Sequence, residues 1–359
     1  YEISLGLVGS EMCIRDSFGY VYYAHKAESH QRGRCGLKTP TKYEWRNIPM
    51  KKTRILSVVA VLCLLLGMFA GAAVAEETPE LKKIGVAFMK NDPFMVPLYN
   101  GMKEVCDANG IELIEYYAEN DIEKQISQCD DLLQQDIDGL IVMPVDFEGI
   151  TPALDAAQKA GVPVVSVDAA CADAEKTIAY IASDNYKAGW LCGEHVLETL
   201  DSAKILVLSH PEIKCTIDRL QGFKDALEGH EGYEIISEQP CSGLYDKGMT
   251  IMDNWLQQYT DFNVVFAIND GSLQGAIASM QAANRLEGVQ SYAIDGQQQM
   301  ADYILEGKQT AEAAQDPYSM GKGAVELLIK HFNGEPYEYE NLLEVTLITK
   351  DNAADYVGF

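Results

Sequence analysis

One stretch of the sequence decides the predicted fold: Lys83-Ile84-Gly85-Val86-Ala87-Phe88-Met89-Lys90-Asn91-Asp92-Pro93-Phe94. Its apolar first half predicts a β-strand, and the polar residues before Pro93 predict a loop. The following residues carry apolar side chains at helical spacing as far as Asn109, and Gly110 ends the predicted helix. The loop therefore lies at the carboxyl end of a first strand, which is where ligands bind in open parallel α/β sheets.

The strand, loop and helix pattern then repeats to the end of the chain. Further apolar strands are predicted at residues 111–118, 139–145, 162–168, 177–183, 204–209, 233–238, 263–268, 291–294, 310–314 and 343–348. Because continuous apolar strands alternate with helices, a parallel sheet covered on both faces is indicated. The series runs through twice with units of similar length. We therefore predict an α/β protein made of two similar doubly wound lobes.

Residues 50–75 have the pattern of a secretory signal peptide. A basic start at Met50-Lys51-Lys52 precedes an apolar run at 55–69, and Ala73-Val74-Ala75 supplies the small residues of a cleavage site. A membrane anchor is the alternative, because residues 55–75 are uncharged and nearly long enough to span a bilayer. No basic flank follows the segment, which favours cleavage and a periplasmic or other extracytoplasmic location.

The segment before the predicted signal peptide does not fit a folded domain. Residues 4–17 resemble translated read-through of a sequencing adapter, and residues 1–49 show no clear period of regular structure. We expect a spurious or disordered extension, with Met50 as the true start.

From residue 76 onward the chain holds 18 Lys+Arg and 49 Asp+Glu, a net charge of −31. Such acidity argues against nucleic acid as a partner.

Polar residues follow several of the predicted strands, and we expect them to share one cleft. They are Asp92, Asp168, Asn269, Asp295 and Gln315, with Arg219 in a helix of the second lobe. A strand-end Asp or Asn is as often only a helix cap or turn former. Taken together, carboxylates, amides and a guanidinium match the paired donors and acceptors of vicinal hydroxyls, so a polyol site is predicted. Phe94 and Phe88 are candidate contacts for the apolar face of a sugar ring, with plain core positions as the alternative.

Catalytic motifs are missing from the sequence. It contains no G-x-S-x-G, P-loop, H-E-x-x-H or G-x-G-x-x-G after the first strand. Four histidines follow residue 75, and none has the spacing of a metal ligand set. Carboxylate pairs in a cleft are also found in glycosidases, but here they come with amides and an Arg. We predict a protein that is not an enzyme and has neither cofactor nor metal.

The chain resembles the periplasmic sugar-binding proteins of ABC importers, most closely the ribose-binding branch, over residues 82–349. The resemblance rests on Asn91-Asp92-Pro93-Phe94, Ile181-Ala182-Ser183-Asp184-Asn185, Gln221-Gly222-Phe223, Val265-Phe266-Ala267-Ile268-Asn269-Asp270, Ala293-Ile294-Asp295-Gly296 and Ala314-Gln315. It implies a type I periplasmic binding protein fold whose chain crosses between lobes near Ser183, Gln315 and Leu343. The implied lobes are 81–184 plus 316–343 and 185–315 plus 344–359.

The resemblance also implies which residues contact the ligand. They are Phe88, Asp92, Phe94, Met95, Asp168, Ala169, Arg219, Asn269, Asp295 and Gln315. Three of them depart from the ribose-binding pattern: Phe88 stands in place of a small hydroxyl residue, Met95 in place of an aromatic, and Ala169 in place of an Arg. The segment before Tyr245 also lacks an aromatic residue, although that side chain could reach inward. These departures leave a sugar-like ligand whose identity is open.

The predicted function is that of an exported receptor that closes two lobes on a monosaccharide or sugar-like ligand. It would act as a monomer and present the ligand to the membrane subunits of an ABC permease. The alternative is a sensory receptor, for chemotaxis or quorum sensing, that recognises a furanosyl or other small polar ligand. A transcriptional regulator would need a helix-turn-helix before Lys83, where the apolar signal segment stands.

Six of the nine cysteines follow residue 75, and an exported protein permits disulfides between them. No C-x-x-C occurs, so the sequence does not support zinc or redox sites. Cys215 and Cys241 follow neighbouring predicted strands of the second lobe. We predict a disulfide between them on the cleft side.

Overall fold

The computed structural model describes residues 80–359, together with the backbone of three short strands, Gly6–Val8, Glu11–Arg15 and Val21–Ala24. Those three strands form an antiparallel sheet within the segment for which we predicted no folded domain. The predicted signal peptide lies outside the described residues. Residues 76–359 form a compact unit of their own, and all that follows concerns this unit. Among its described residues, no helix has the length and apolar character needed to cross a membrane.

The first lobe is built on a parallel sheet whose strands are mostly apolar and buried. In chain order its strands and helices are β1 (Lys83–Phe88), α1 (Met95–Asn109), β2 (Glu112–Tyr117), α2 (Ile122–Leu133), β3 (Gly139–Val142), α3 (Thr151–Ala160), β4 (Val164–Val167) and β5 (Ala179–Ser183). The strands lie in the order β2, β1, β3, β4, β5. This order reverses direction at β1, which makes the carboxyl end of β1 a topological switch point.

The second lobe repeats the design with its own parallel sheet. Its elements are α4 (Asn185–Thr199), β6 (Ala203–Ser209), α5 (Lys214–Leu227), β7 (Tyr233–Pro240), α6 (Tyr245–Gln258), β8 (Val264–Ala267), α7 (Asp270–Ala282), β9 (Gln290–Asp295), α8 (Gln298–Leu305) and β10 (Ala311–Ala314). The strands lie in the order β7, β6, β8, β9, β10. Strands β6, β8 and β9 are mainly apolar and buried, as expected for a parallel sheet with helices on both faces, whereas β7 at the edge is polar and partly exposed.

Local sequence signals explain where the helices begin and end. Asp121 and Asp184 each precede a helix and accept a hydrogen bond from the backbone N–H three residues later, the usual N-cap contact. Gly110 and Gly161 end α1 and α3 in the left-handed conformation, with φ of 67° and 74°. Such positions favour glycine because it has no Cβ. The first strand, loop and helix predicted from the sequence therefore occur at almost the predicted residues.

The chain passes between the sheets at three places, after Ser183, after Ala314 and after Leu343. Beyond β10, helix α9 (Pro317–Asn333) packs on α1 in the first lobe, and β11 (Glu340–Leu343) pairs in parallel with β5. Strand β12 (Thr346–Ile348) then pairs antiparallel with β10 in the second lobe. The single strand predicted at 343–348 is therefore wrong: the chain changes sheets in the middle of this segment. The lobe boundaries stay a prediction.

The two lobes contact each other across the cleft. The Phe147 N–H of the first lobe donates a hydrogen bond of 3.2 Å to the Glu212 carbonyl of the second. Ile213 and Cys215 of the second lobe pack into the apolar cluster of the first. The Phe359 ring, at the end of the chain, meets the Phe94 ring edge-on at 5.7 Å. The structure is therefore a closed form of a two-lobed protein.

The predicted disulfide between Cys215 and Cys241 is wrong. All six cysteines after residue 75 are buried free thiols. Cys241 packs in the second lobe's own core, and its Sγ lies 3.4 Å from the Ser209 carbonyl oxygen. Cys215 instead faces the other lobe, with its Sγ 4.0 Å from Asp168 Oδ2. Neighbouring strands brought the two residues to the same sheet edge, but their side chains belong to different clusters.

Candidate functional site

The carboxyl ends of the strands of both sheets face each other across a cavity in the cleft. Eight of the ten predicted ligand residues line it: Asp92, Phe94, Met95, Asp168, Arg219, Asn269, Asp295 and Gln315. The empty space between the walls, open solvent at the mouth included, is about 460 Å³. A water-sized sphere can move through only about 50 Å³ of this space. The two walls of the closed cleft therefore lie close together.

A buried polar network forms the second-lobe wall of the cavity. Arg219 donates from Nε to Asn185 Oδ1 at 2.7 Å, and from Nη1 to the Ile268 carbonyl at 2.8 Å. The same Nη1 lies 3.1 Å from Asp295 Oδ1. Gln315 Nε2 donates to that oxygen as well, at 2.9 Å. The network orients the Asp295 carboxylate, and burial of so many polar groups is tolerated because they satisfy one another.

Asp168 is held in an unusual backbone conformation on the first-lobe wall. Its φ is 63°, and the Ala169 N–H donates back to the Val167 carbonyl at 2.7 Å, which closes a three-residue γ-turn around Asp168. Positive φ is uncommon for residues other than glycine, and it is a strain often found at functional sites. This turn, directly after β4, places the Asp168 carboxyl on the cavity wall.

Two acceptor oxygens on the wall have no hydrogen-bond donor within residues 80–359. They are Asp168 Oδ1 and Gln315 Oε1. Burial raises the pKa of Asp168 to about 6, although the nearby Arg219 charge opposes the shift. Burial also raises the pKa of Asp295, again against the effect of Arg219. A ligand that donates hydrogen bonds would satisfy both oxygens and favour the ionised carboxylates.

Asn269 and Asp92 make local contacts as well as lining the cavity. Asn269 Oδ1 accepts from the Ser272 N–H and hydroxyl, and its Nδ2 donates to the Gly243 carbonyl at 3.0 Å. Asn269 is thus the N-cap of α7. Asp92 Oδ1 accepts from the Phe94 N–H at 3.1 Å, which shapes the loop after β1. Asn269 therefore caps a helix, the alternative expected for strand-end Asp and Asn residues, and also lines the cavity.

Two of the predicted ligand residues do not line the cavity. Phe88 is fully buried in the first-lobe core, where its ring stacks on Tyr117 with the centroids 5.2 Å apart. Ala169 is fully buried in the same cluster. Tyr245, which could have reached inward, is exposed and is not among the lining residues. These three residues are therefore not on the cavity wall.

Lys90 is a cavity residue that the sequence interpretation missed. Its ammonium lies 2.6 Å from Asp92 Oδ2, and only 18% of its side chain is exposed. Burial works against its charge, but the carboxylates of Asp92, Asp295 and Asp168 outweigh that effect and raise its pKa. Its place directly before Asn91-Asp92, at the end of a predicted strand, was a signal that could have identified it. Lys90 and Arg219 thus supply positive charge from opposite lobes.

His210 also lines the cavity, although the sequence assigned it no role. It follows β6 and therefore stands at a strand end, like several of the predicted ligand residues. Burial lowers the pKa of His210 to about 4, even though the Glu212 carboxylate opposes the shift. The imidazole is thus neutral near pH 7, with one ring nitrogen as a hydrogen-bond donor and the other as an acceptor. No group of three or more His, Cys, Asp or Glu within the described part of the chain could hold a metal ion.

Comparisons with known proteins agree with this architecture. The profile of the periplasmic binding protein domain matches residues 84–336. The ribose import binding protein of Bacillus subtilis is 32% identical over 238 residues, which cover 66% of this chain and 76% of that protein. A putative rhizopine-binding protein of Rhizobium meliloti is 28% identical over 300 residues, 80% of this chain and 97% of that one.

Solved structures show the same similarity. An ABC transporter solute-binding protein of Mycobacterium smegmatis with bound glycerol has a TM-score of 0.74 and 31% identity, covering 78% of this chain and 98% of that one. A second such protein, from Bacillus halodurans with bound myo-inositol, has a TM-score of 0.72 and 27% identity, covering 77% of this chain and 97% of that one.

Proposed function

The chain belongs to the periplasmic binding protein family, as a type I sugar-binding protein, and we propose that it captures a monosaccharide-like polyol in its cleft and delivers it to an ABC importer. The observation that carries this proposal is the polar wall of the closed cavity. Arg219, Asp295 and Gln315 form a pre-arranged network, while Asp168 Oδ1 and Gln315 Oε1 are left to accept from a ligand. Vicinal hydroxyls donate and accept in pairs and match this arrangement.

The proposed ligand contacts come from both lobes. The first lobe contributes Asp92, Phe94, Met95, Asp168 and Lys90, and the second contributes Arg219, Asn269 and Asp295, with Gln315 at a crossing between lobes. Phe94 and Met95 supply apolar surface for the C–H face of a ring. Because buried polar groups left unpaired are costly, the site would reject ligands without matching hydroxyls. Selectivity therefore follows from the polar wall.

The names of the relatives support a polyhydroxylated ligand and transport as the output. One relative is a ribose import binding protein, one a putative rhizopine-binding protein, and another a xylitol-binding protein. The related solved structures contain myo-inositol and glycerol. Import binding proteins among the relatives support delivery to an importer over the sensory alternative. The same relatives bind solutes, which supports a binding protein over an enzyme.

A thermal-shift screen of the protein tests the proposal. The screen compares pentoses, hexoses, cyclitols, linear polyols and furanosyl compounds, because a ligand that binds only the folded state raises the melting temperature by mass action. We expect at least one polyol to raise it in a concentration-dependent manner. A screen in which no compound of these classes does so would contradict the proposed function.

Two substitutions and one control assign the binding to the cavity. Asp295→Asn keeps the size of the side chain but removes its charge, and Asp168→Asn does the same on the opposite wall. Both should lower the affinity for the best ligand at least about tenfold, as expected when a charged hydrogen-bond acceptor is lost. Asp302→Asn, on the exposed face of α8, should leave affinity unchanged. Binding that survives both substitutions would place the ligand elsewhere.

A further inference from the structure

Two acidic side chains lie next to each other behind the second-lobe wall, outside the cavity. Glu312 stands in the middle of β10 with 1% of the residue exposed, and Asp270 opens α7 with none exposed. Their carboxyl groups are close enough for each to shift the pKa of the other. The proposed function gives neither residue a role. Buried acids almost never occur without a compensating partner, so this pair requires an explanation.

The hydrogen bonds around the pair show what Asp270 holds in place. Asp270 Oδ2 accepts from the backbone N–H groups of Gly296 and Gln297, at 3.3 Å and 3.0 Å. These two residues directly follow Asp295. Gly296 has a φ of 108°, and its carbonyl accepts from the Tyr356 hydroxyl at 2.8 Å. Asp270 therefore fixes the tight turn at Gly296 and Gln297, which directly follows the proposed ligand residue Asp295.

The remaining oxygens of the pair show where a proton must be. Asp270 Oδ1 and both oxygens of Glu312 have no N–H or O–H donor in the part of the chain that the structure describes. Two ionised carboxylates in contact would repel strongly in a buried setting, and a shared proton removes this repulsion. Burial and then the Asp295 charge raise the pKa of Asp270 to about 8, and the N–H groups of Gly296 and Gln297 oppose that shift. These two donors favour the negative charge on Asp270 and therefore the shared proton on Glu312.

The surroundings keep that proton in place at neutral pH. Burial, and then the Asp270 and Asp295 charges, raise the pKa of Glu312 well above its ordinary value. The other ionisable groups near the pair are the Tyr356 phenol and the Cys192 thiol of α4, and burial raises the pKa of both. The Arg219 guanidinium on the cavity wall pairs with Asp295, so it is not free to stabilise a second carboxylate here.

We propose that Glu312 is a positioning residue for the ligand site: its proton holds Asp270, Asp270 holds the Gly296–Gln297 turn, and the turn orients Asp295. Loss of the proton places two negative charges side by side and loosens the turn. Because Glu312 is an acid with a raised pKa, its neutral form stabilises the folded protein. This stabilisation is complete at pH below the ordinary pKa of Glu and is lost as pH rises towards the raised value. Alkaline conditions should therefore disturb Asp295.

Carboxyl-carbon and amide NMR across about pH 5 to 9 tests this mechanism without any ligand. In the wild-type protein, we expect one Glu carboxyl to stay protonated at neutral pH and to titrate on the alkaline side. The amides of Gly296 and Gln297 and the carboxyl of Asp295 should shift with the same midpoint. Glu312→Gln keeps an N–H donor towards Asp270 but cannot ionise, so it should remove that shared midpoint. Glu287→Gln, on an exposed loop of the same lobe, is the control and should preserve it.

Two results would overturn the inference. One is a wild-type protein in which every Glu carboxyl titrates near its ordinary pKa of about 4.3. The other is a Glu312→Gln protein in which Gly296 and Gln297 keep the wild-type midpoint. If that variant fails to fold, the wild-type titration decides alone. The inference depends on the proposed function only through the role of Asp295: a shared proton found together with a negative ligand screen would keep the pair and reject the ligand assignment.

Discussion

At the scale of the residue, the site combines strain, burial and unpaired acceptors in one side chain. Asp168 has positive φ, is 5% exposed and has an oxygen without a donor. Each of these features destabilises the ligand-free protein. A bound ligand would remove one of them by donating to that oxygen. Residues of this kind exchange folding stability for function.

Asp168→Asn should stabilise the ligand-free protein at about pH 7.5, because Asn cannot ionise and tolerates positive φ. Burial raises the pKa of Asp168 from its ordinary value of 3.8 to about 6. The neutral side chain therefore stabilises the folded protein fully at acid pH, and this stabilisation is lost as pH rises through about 6. We expect a gain on the order of 2 kcal/mol in the free energy of unfolding. Urea unfolding measures it, with the exposed Asp131→Asn as control. A less stable Asp168→Asn protein would contradict this explanation.

Lys90→Met should lower ligand affinity about tenfold or more, because it removes a buried ammonium while keeping the apolar stem. Lys90 lies 2.6 Å from Asp92, so the change also leaves that carboxylate without its partner. Isothermal titration calorimetry with the best ligand of the screen measures the effect. Lys159→Met, on the exposed end of α3, should bind like the wild type. Equal affinities for both variants would remove Lys90 from the site.

At the scale of the element, pairs of helices approach each other through glycines. A Cβ on Gly189 of α4 would lie 1.7 Å from the Arg219 carbonyl oxygen, and one on Gly222 of α5 would lie 1.9 Å from that of Tyr186. The same reciprocal arrangement occurs at Gly101 with Gly321 and at Gly248 with Gly275. Because these backbones touch, no side chain fits between them. Glycines of α4 and α5 therefore set how closely α5, the helix that carries Arg219, packs on α4.

Gly189→Ala should destabilise the protein by about 3 kcal/mol, since the new methyl group forces the two backbones apart. It should also weaken ligand binding, because the displaced backbone belongs to Arg219. Gly323→Ala in α9 is a matched control: its Cβ would meet only the end of the flexible Ile181 side chain, at 2.3 Å from Cδ1. Urea unfolding of both variants measures the difference. Similar losses for the two would show that the close approach of α4 and α5 does not matter.

At the scale of the whole molecule, the lobes form one cavity only when the cleft is closed. The Phe147–Glu212 hydrogen bond, the Cys215–Asp168 contact and the Phe94–Phe359 ring contact all join residues across the cleft. A ligand that touches both walls favours this arrangement over an open one. It can shift the equilibrium only by its difference in affinity for the two forms.

Small-angle X-ray scattering should show closure on ligand binding. We expect the radius of gyration of the ligand-free protein to fall when the best ligand of the screen is added, because hinge closure brings the two lobes together. The Asp295→Asn variant at the same ligand concentration should keep the ligand-free value. A radius that stays constant for the wild-type protein at saturating ligand would mean that binding does not require lobe closure.

The sequence by itself determined the alternation of strands and helices, the two lobes and most of the polar residues at the strand ends. These depend on local periodicity and capping, which neighbouring residues along the chain specify. Only the tertiary structure decided which of these side chains face the cavity. Phe88 is buried in the core while Lys90, two residues later, lines the site. It also divided residues 343–348 between two sheets and placed Glu312 against Asp270. Side-chain direction and contacts between distant segments depend on packing, which no local pattern encodes.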